Sequence, residues 1–344
     1  MTITRAWLND VMRAYKKTSL LRTAIELGVF DALAGGARTS AEIACRTGAH
    51  PRGIRILLDA LAASGMVDAR SGGYRLVPGA GELLVSTSPS YYGEMAKVMA
   101  SDYEWESLGR LTQAVRHGGS VEEENAETPG FGYWETFASF ASAVTLPTAR
   151  VMADMLEPWA ADRPDLDVLD VACGHGLYGF GVARRFPQAT LACLDWDNVL
   201  RITEKHAAEQ QVRERTRFIA GDMFEVDYQG PYDLILVTNV LHHFSPDRAT
   251  ELLRRAARAL KPGGRVAVVS MVRTGPPAED PEAHMFSVLM LAWTDMGEVH
   301  SDEVHHDVLT AAGFTDVQRR QVPDLAFHVF VAALADPADG ATRP

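Results

Sequence analysis

Long apolar runs are missing from this 344-residue sequence. The longest, such as residues 266–272, fall far short of the roughly 20 residues that cross a bilayer. Residues 1–17 carry charges throughout, where a signal peptide would have an apolar core. Cysteine is also scarce, and Cys45, Cys173 and Cys193 are too few and too widely spaced to predict a disulfide framework or a zinc motif. We therefore expect a cytoplasmic protein with no membrane partner and no bound metal.

The sequence has fewer basic than acidic residues. The chain has 33 Lys and Arg residues against 45 Asp and Glu residues, and its formal net charge is −12. This balance gives no electrostatic reason to bind nucleic acid or an anionic membrane. A content of 47% hydrophobic and 23% charged residues is typical of a folded globular protein. The length is sufficient for two domains.

A polar, acidic and glycine-rich segment at residues 117–132 divides the chain into two parts. The part before it is mostly helical. Residues 20–33 and 52–64 have apolar residues at helical spacing, and residues 39–42 (TSAE) predict a capped helix start. The Gly-Gly pair at 72–73 then predicts a tight hairpin. Three helices followed by a hairpin form the pattern of a winged-helix domain.

The part after the break alternates apolar runs with helical stretches, which predicts βαβ units and a parallel sheet. Such a sheet is buried on both faces, and this explains near-continuous apolar runs such as LILV. The predicted fold class is α/β, with a Rossmann-like sheet preceded by a mostly helical winged-helix domain. The predicted domains are residues 1–115, a linker and covering helix at 116–150, and the α/β domain at 151–336. The predicted strands are residues 167–172, 190–195, 216–220, 232–238, 265–271, 315–321 and 326–334.

The most informative stretch is residues 167–179, DVLDVACGHGLYG, where a predicted strand leads into a glycine turn and then a helix. Gly174 and Gly176 allow the backbone to approach a ligand closely, and the helix start presents unpaired N–H groups. About twenty residues later the second strand ends at Asp195, whose carboxylate can accept hydrogen bonds from both hydroxyls of a ribose. With Gly179, the two glycines also match the GxGxxG pattern, so a nicotinamide dehydrogenase is an alternative at this point.

Further strand-end residues favour a different cofactor. Asp170 precedes the glycine turn, where a carboxylate would repel pyrophosphate but can hold the ammonium group of an amino acid. Residues 220–223 (AGDM) suit the edge of an adenine, residues 238–244 (TNVLHHF) end the fourth strand, and residues 261–264 (KPGG) introduce the fifth. This series resembles the motif set of class I S-adenosylmethionine (SAM)-dependent methyltransferases. Together with the predicted N-terminal winged-helix domain, it resembles the small-molecule O-methyltransferase family. This family includes hydroxyindole, plant phenylpropanoid and bacterial antibiotic-tailoring enzymes.

The resemblance implies SAM as cofactor, a small-molecule acceptor from secondary metabolism, and a homodimer held through residues 1–115. The implied cofactor-binding residues are Asp170, Gly174, Gly176, Asp195, Trp196, Asp222, Met223 and Asn239, with Phe137 on a covering helix at residues 133–143. Two stripes of methionine and aromatic residues at helical spacing suit either the protein core or a pocket for a flat apolar acceptor. The predicted acceptor-pocket residues are Met99, Tyr103, Met285, Met290 and Trp293.

The resemblance also implies a catalytic base, His242, which would remove the proton of an acceptor hydroxyl. An imidazole with a pKa near 6.5 is suited to this role at neutral pH, and general-base catalysis typically contributes about 10²–10⁴-fold. His243 occupies the position at which the family usually has an acid. A histidine that only ends the strand, without a catalytic role, is the alternative.

Two departures from the family pattern concern the partners of this histidine. Ser270 and Val299 stand where the family usually carries glutamates that orient the base. Glu298 or Asp295 would then be a reoriented partner. Alternatively, the acceptor atom is an electron-rich aromatic carbon or an amine, or the protein binds SAM without methylating.

Two other classes of protein fit less well. A winged-helix regulator would need a basic face, but the arginines of residues 38–75 are diluted by acidic residues, so we expect a dimer interface there. A metal enzyme would need ligands at a fixed spacing. His305 and His306 are adjacent on a predicted helix that begins near residue 301, so their side chains cannot face the same way.

Overall fold

The computed structural model describes residues 2–70, 72–140 and 142–335. The chain divides into two compact units, Met1–Trp105 and Glu106–Pro344. The predicted domain bounds at residues 115 and 150 remain predictions, and the predicted end at residue 336 lies outside the described residues. Among the described residues, no helix combines the length and apolar character needed to cross a membrane.

The first unit contains helices and one hairpin, and its first helix, Arg5–Glu26, is 22 residues long. Its helices pack around a core that includes Phe30, Ile54 and Leu58. The predicted cap is confirmed, because the Thr39 side chain accepts from the Glu42 N–H and the Glu42 carboxylate accepts from the Thr39 N–H. The elements of this unit are α1 (Arg5–Glu26), α2 (Val29–Ala34), α3 (Ser40–Thr47), α4 (Pro51–Ala63), β1 (Val67–Arg70), β2 (Gly73–Leu76), α5 (Ala80–Leu83), α6 (Met95–Met99) and the beginning of α7 (Asp102–Gly109).

The prediction of one helix over residues 20–33 is wrong. The first helix, α1, ends at Glu26, and α2 begins at Val29. Between them Gly28 has a φ of 68°, a left-handed conformation that a right-handed helix does not contain and that glycine adopts at little cost. Helical spacing of apolar residues continues across this glycine, and spacing alone does not reveal the break.

The second unit has the predicted α/β fold. Its sheet has the strand order β5-β4-β3-β6-β7-β9-β8. The pairs β3–β4, β3–β6, β4–β5 and β6–β7 are parallel, and β9 is antiparallel to β7 and β8. The elements of this unit are α8 (Leu111–His117), α9 (Tyr133–Phe140), α10 (Ser142–Ala160), β3 (Leu166–Val171), α11 (Leu177–Arg185), β4 (Ala189–Asp195), α12 (Asp197–Glu209), β5 (Thr216–Ala220), β6 (Tyr232–Thr238), α13 (Pro246–Arg258), β7 (Leu260–Met271), α14 (Pro281–Trp293), α15 (Asp302–Ala311), β8 (Phe314–Gln321) and β9 (Phe327–Leu334).

Apolar side chains cover both faces of this sheet. One core cluster includes Phe180 and Leu234, and the other includes Ile235 and Phe330. Every residue of β6 is buried, as expected for a central parallel strand. The chain order reverses between β3 and β6, and ligands of open α/β sheets bind at the carboxyl ends of the strands beside such a reversal.

Candidate active site

A cavity lies at the carboxyl ends of β3, β4 and β6. Both apolar and ionisable side chains line it. The lining residues are Ala126, Glu127, Trp134, Phe137, Ala172, Cys173, Gly174, His175, Tyr178, Asp195, Trp196, Val199, Asp222, Met223, Phe224, Thr238, Asn239, Val240, His243, Phe244 and Arg248.

The two predicted glycines of the turn have different roles. Gly174 lines the cavity with a φ of 53°, and no atom lies within 4 Å of where a Cβ would stand. Gly176 precedes α11 with a φ of 76° and does not line the cavity. A Cβ on Gly176 would collide with the Phe180 ring and the Thr203 methyl group. Gly174 therefore leaves open space for a ligand, whereas Gly176 permits close packing behind it.

Asp195 ends β4 and reaches the glycine turn with its carboxylate. Its Oδ2 accepts from the Gly174 N–H at 2.8 Å, and its Oδ1 accepts from the Trp196 N–H at 2.7 Å. Burial raises the pKa of Asp195 to about 6. Each carboxylate oxygen has a second acceptor site, so the carboxylate is oriented by the backbone and can still accept from a diol in the cavity.

Asp170 does not line the cavity. It is fully buried in β3, and its Oδ2 accepts from the Gly179 N–H at 3.0 Å, which fixes the first turn of α11. Its Oδ1 has no hydrogen-bond partner among the described residues, and burial raises the pKa of this carboxyl group well above its usual value. The structure therefore gives Asp170 a role in supporting the glycine turn, and its predicted contact with an ammonium group remains a prediction.

The residues predicted for the adenine end lie together on the wall. Asp222 and Met223 follow β5, and the Asp222 carboxylate accepts from the Phe224 N–H at 2.7 Å. The guanidinium carbon of Arg248 lies 3.5 Å from the centroid of the Phe224 ring. The Phe224 ring in turn meets the Phe244 ring edge to face, with centroids 5.1 Å apart. This corner of the cavity is therefore aromatic and bordered by one carboxylate and one cation.

The covering helix α9 contributes the predicted Phe137 and also Trp134. The Phe137 ring stacks against His175 at a centroid distance of 6.4 Å. Trp134 donates its Nε1–H to the carbonyl of Ala126 at 3.0 Å and lies 5.4 Å from the His243 ring. Trp134 and His175 were missed at the sequence level, although both stand inside segments singled out there.

Asn239 follows β6 in a left-handed conformation with a φ of 54°. Its backbone N–H donates to the Val269 carbonyl at 2.8 Å, which anchors the residue to β7. Its Nδ2 donates to the Tyr178 hydroxyl at 2.9 Å. Its Oδ1 is buried and without a hydrogen-bond partner in the described part of the chain. Asn239 thus lines the cavity while its buried amide oxygen has no partner among the described residues.

The two histidines after β6 face different surroundings. His243 lines the cavity, whereas His242 does not and packs edge to face on Phe286 of α14 at 5.2 Å between centroids. The His242 Nδ1 is buried and finds no partner within the residues that the structure describes. Burial is the main cause that lowers the pKa of both groups, well below 6.5 for His242 and to about 4 for His243. Both imidazoles are therefore neutral at neutral pH.

The surroundings of His242 hold no carboxylate at the two positions where the family has them. Ser270 is buried and donates its hydroxyl to the neighbouring Met271 carbonyl at 3.0 Å. Val299 is fully buried in an apolar cluster with Met271. The reoriented partners considered above do not replace them, because Glu298 is exposed and Asp295 pairs with Asn125 at 3.0 Å.

The residues predicted for the acceptor pocket belong to two different units. In α14, Met290 and Trp293 are buried, and Met285 is 69% exposed. The Trp293 ring meets the Tyr133 ring edge to face at 4.8 Å. Met99 and Tyr103 belong to the first unit. The acceptor-pocket assignment therefore stays a prediction.

The cavity fits SAM in three respects. The Asp195 carboxylate suits the ribose diol, Gly174 leaves room beside the backbone, and the unpartnered Oδ1 of Asn239 suits a cationic group. SAM is a nucleoside that carries positive charge on its sulfonium and its ammonium groups. The combination of a diol-binding carboxylate with an acceptor oxygen matches this ligand better than it matches pyrophosphate.

Comparison with known proteins supports the same reading. The O-methyltransferase domain family matches residues 140–315, and the O-methyltransferase dimerisation domain family matches residues 9–86. The 3-hydroxy-5-methyl-1-naphthoate 3-O-methyltransferase of Streptomyces sahachiroi is 27% identical over 90% of each chain. The tetracenomycin polyketide synthesis 8-O-methyltransferase of Streptomyces glaucescens is 28% identical over 90% of this chain and 91% of its own.

A solved structure of similar fold leads to the same family. The crystal structure of a putative O-methyltransferase from Nostoc punctiforme is 31% identical, with a TM-score of 0.88 over 96% of this chain and 100% of the other. The sequence motifs, the strand-end cavity and the two family matches agree. The chain belongs to the O-methyltransferase family and is a SAM-dependent methyltransferase.

Proposed function

We propose that this protein transfers a methyl group from SAM to a hydroxyl group of a small aromatic or polycyclic acceptor, with His242 as general base. The observation that carries the proposal is the cavity at the strand ends, which Asp195, Asn239 and His243 line. The naphthoate and polyketide methyltransferases among its relatives favour an acceptor of this class.

In this proposal Asp195, Gly174 and Asn239 hold the cofactor, and Asp222 and Met223 flank its adenine. When bound, SAM supplies an electrophilic methyl group on a sulfonium. The protein's contribution is to exclude water and to align the acceptor, and such positioning can supply roughly 7–11 kcal/mol. In this proposal His242 accepts the acceptor's proton, which requires its buried, neutral imidazole to turn from Phe286 toward the cavity that His243 lines.

A carbon acceptor is a second candidate, and one observation favours it. Ser270 and Val299 leave His242 without a carboxylate that would stabilise its protonated form. A histidine without such a carboxylate is sufficient for an acceptor that loses its proton with little assistance from a base. An electron-rich aromatic carbon meets this condition, since its proton leaves after the methyl group has arrived.

The test is methyl transfer from labelled SAM to a panel of hydroxynaphthoates and polycyclic phenols, followed by mass and NMR analysis of the product. We expect a methyl ether. His242→Ala should lower turnover by roughly 10²-fold or more with SAM affinity nearly unchanged, since only transition-state help is lost. His243→Ala should lower turnover much less. Because the pKa of His242 is depressed, turnover should not fall through protonation of this base between about pH 8 and 6.

Three outcomes would contradict parts of this proposal. A product methylated on carbon or nitrogen would replace O-methylation with one of the alternatives. Near wild-type turnover of His242→Ala would end the general-base role. Binding of SAM with no transfer to any acceptor of the panel would favour a family member that no longer methylates.

A further inference from the structure

The short segment 297–300 packs against the backbone of residues 241–244, the turn that carries His242 and His243. His300 ends this segment and is buried. Its Nε2 lies 2.9 Å from the carbonyl oxygen of Phe244. A carbonyl oxygen only accepts hydrogen bonds, so Nε2 carries a proton and donates it here. Burial lowers the pKa of His300, and the ring is therefore neutral at neutral pH, with its one N–H in this bond.

The same ring also reaches the beginning of the 241–244 turn. The backbone of Leu241 is a second hydrogen-bond partner of His300, and both bonds raise its pKa against the effect of burial. His242 and His243 lie between Leu241 and Phe244 in the chain. The His300 ring therefore ties the two ends of the turn together, with both histidines between the two ties.

Gly297 contacts the middle of the turn. A Cβ at this buried position would stand 2.5 Å from the His242 carbonyl oxygen and 2.8 Å from the His243 carbonyl oxygen. Backbone carbonyls do not yield as the end of a flexible side chain does, so the absence of a side chain permits this close approach. The backbone of all four residues of the turn thus meets the segment 297–300.

The segment 297–300 is itself anchored to the sheet domain. The Val299 N–H donates to Ser287 Oγ of α14 at 3.1 Å. The Arg273 N–H, directly after β7, donates to the His300 carbonyl at 3.0 Å. These bonds tie the segment to two elements of the fold, so it forms a fixed support for the turn.

We propose that His300 is a positioning residue for methyl transfer, which holds the backbone of the 241–244 turn and with it the ring of His243 at the cavity. Through backbone contacts it orients the histidines of a chain that has Ser270 and Val299 where the family usually has glutamates. The inference rests on the proposed methyl transfer in the cavity. It holds for either histidine of the turn as the base.

The consequence for catalysis is that side-chain rotation alone brings His242 to the cavity. With its backbone held at both ends, the turn does not move as a whole. A turn that has lost this support displaces the groups beside the acceptor, and a misplacement of about 1 Å can cost about 10²-fold in rate.

The test compares His300→Leu with His300→Gln in the transfer assay with labelled SAM. Leucine has no donor, whereas glutamine carries an amide N–H at the same number of bonds from the backbone as Nε2. We expect kcat to fall by about tenfold or more in His300→Leu and His300→Gln to recover most of this loss. The affinities for SAM and for its product S-adenosylhomocysteine (SAH), measured by calorimetry, should stay near the wild-type values in both variants.

The pKa of His243 gives a second measurement, which needs no acceptor. Burial lowers it to about 4 in the wild type. A released turn leaves this ring less buried, so in His300→Leu the pKa of His243 should rise toward 6.5, as NMR titration of the ring protons measures. In His300→Gln it should stay near 4.

The matched control is His328→Leu. His328 is another buried histidine, which lies in β9 and does not line the cavity. Its replacement should leave kcat and the pKa of His243 at the wild-type values, whatever the melting temperature of the variant.

Gly297→Ala keeps the test available if His300→Leu does not fold. Its methyl group would displace the carbonyls of His242 and His243. We expect a lower kcat with SAM affinity unchanged, as in His300→Leu.

Equal losses of kcat in His300→Leu and His300→Gln would overturn the inference, because the hydrogen bond to the turn would then not matter. Wild-type kcat and an unchanged pKa of His243 in His300→Leu would overturn it as well, and so would an equal loss of kcat in His328→Leu. A wild-type protein that methylates no acceptor is a different result. It would contradict the proposed function, whereas the pKa of His243 would still show whether His300 holds the turn.

Discussion

At the scale of single residues, the affinity for cofactor should depend most on Asp195. Its carboxylate is oriented by two backbone N–H groups, and burial raises its pKa to about 6. Only the ionised form can accept from both ribose hydroxyls. SAM affinity should therefore be constant above about pH 7 and fall as the pH drops through 6, by up to about tenfold per pH unit, the limit for one proton.

Substitution tests the same residue. Asp195→Ala should weaken both SAM and SAH, because charge-assisted hydrogen bonds of roughly 1.5–3 kcal/mol are lost, and its affinity should no longer follow the titration near pH 6. Asp197→Ala is the matched control, since Asp197 is exposed and pairs with Arg201. Unchanged SAM affinity in Asp195→Ala, or tight NADH binding by the wild type, would refute the cofactor assignment at this residue.

Residues at or shortly after the ends of strands were among those whose location the sequence could predict. Gly174, Asp195 and Asn239 reach the cavity because the carboxyl ends of parallel strands meet at one edge of the sheet. Asp170 stands only four positions before Gly174, yet its carboxylate turns to the Gly179 N–H. The orientation of a side chain next to the edge is decided by neighbours that are distant in sequence.

At the scale of elements, the entry into α11 depends on Gly176. Gly176→Ala would place a methyl group against Phe180 and Thr203 in a left-handed conformation. We expect a loss of about 2–5 kcal/mol in the free energy of unfolding, the sum of left-handed strain and overpacking, together with weaker SAM binding. Urea denaturation and calorimetry measure the two effects.

Gly118 offers a control for the strain alone. It ends α8 with a φ of 92°, and no atom lies within 4 Å of its hypothetical Cβ. Gly118→Ala should cost only about 1–2 kcal/mol, the left-handed strain of one alanine, and should leave SAM affinity unchanged. If the two variants lose the same free energy, close packing at Gly176 is not what requires the glycine.

Strands were predicted more accurately than helix ends. The strands β5 (Thr216–Ala220) and β6 (Tyr232–Thr238) have the predicted bounds. For β6 the reason is its buried apolar run LILV. By contrast, β7 begins at Leu260, five residues before the predicted start, since Leu260 already pairs with Tyr232. Such pairing depends on the partner strand, which the local composition of residues 261–264 does not report.

At the scale of the whole molecule, α1 indicates assembly. We propose that the protein is a homodimer held mainly by the first unit, in which the dimerisation family match lies. Along α1, residues 8–18 are all exposed in the single chain, and four large apolar side chains repeat at helical spacing. These four are Leu8, Val11, Met12 and Tyr15. An apolar helix face exposed over this length marks an interaction surface.

Charge placed on this face should separate the subunits. Met12→Glu should convert the dimer into a monomer at micromolar concentration, as measured by light scattering, because a buried unpaired carboxylate is costly. Lys17→Glu changes charge on the opposite side of the same helix and should leave the dimer intact. A monomeric wild type would contradict the proposal, and so would a dimer that tolerates Met12→Glu.

The sequence by itself determined the α/β class, the strand order along the chain, the glycine turn and the family, because buried parallel strands and strand-end motifs are local patterns. Tertiary structure decided which neighbouring side chain faces the cavity. His243 lines it while His242 packs on Phe286, although the two adjoin in one turn. A turn of three residues has no periodicity that assigns its faces. Contacts with α14 and α9, far away in sequence, make that choice.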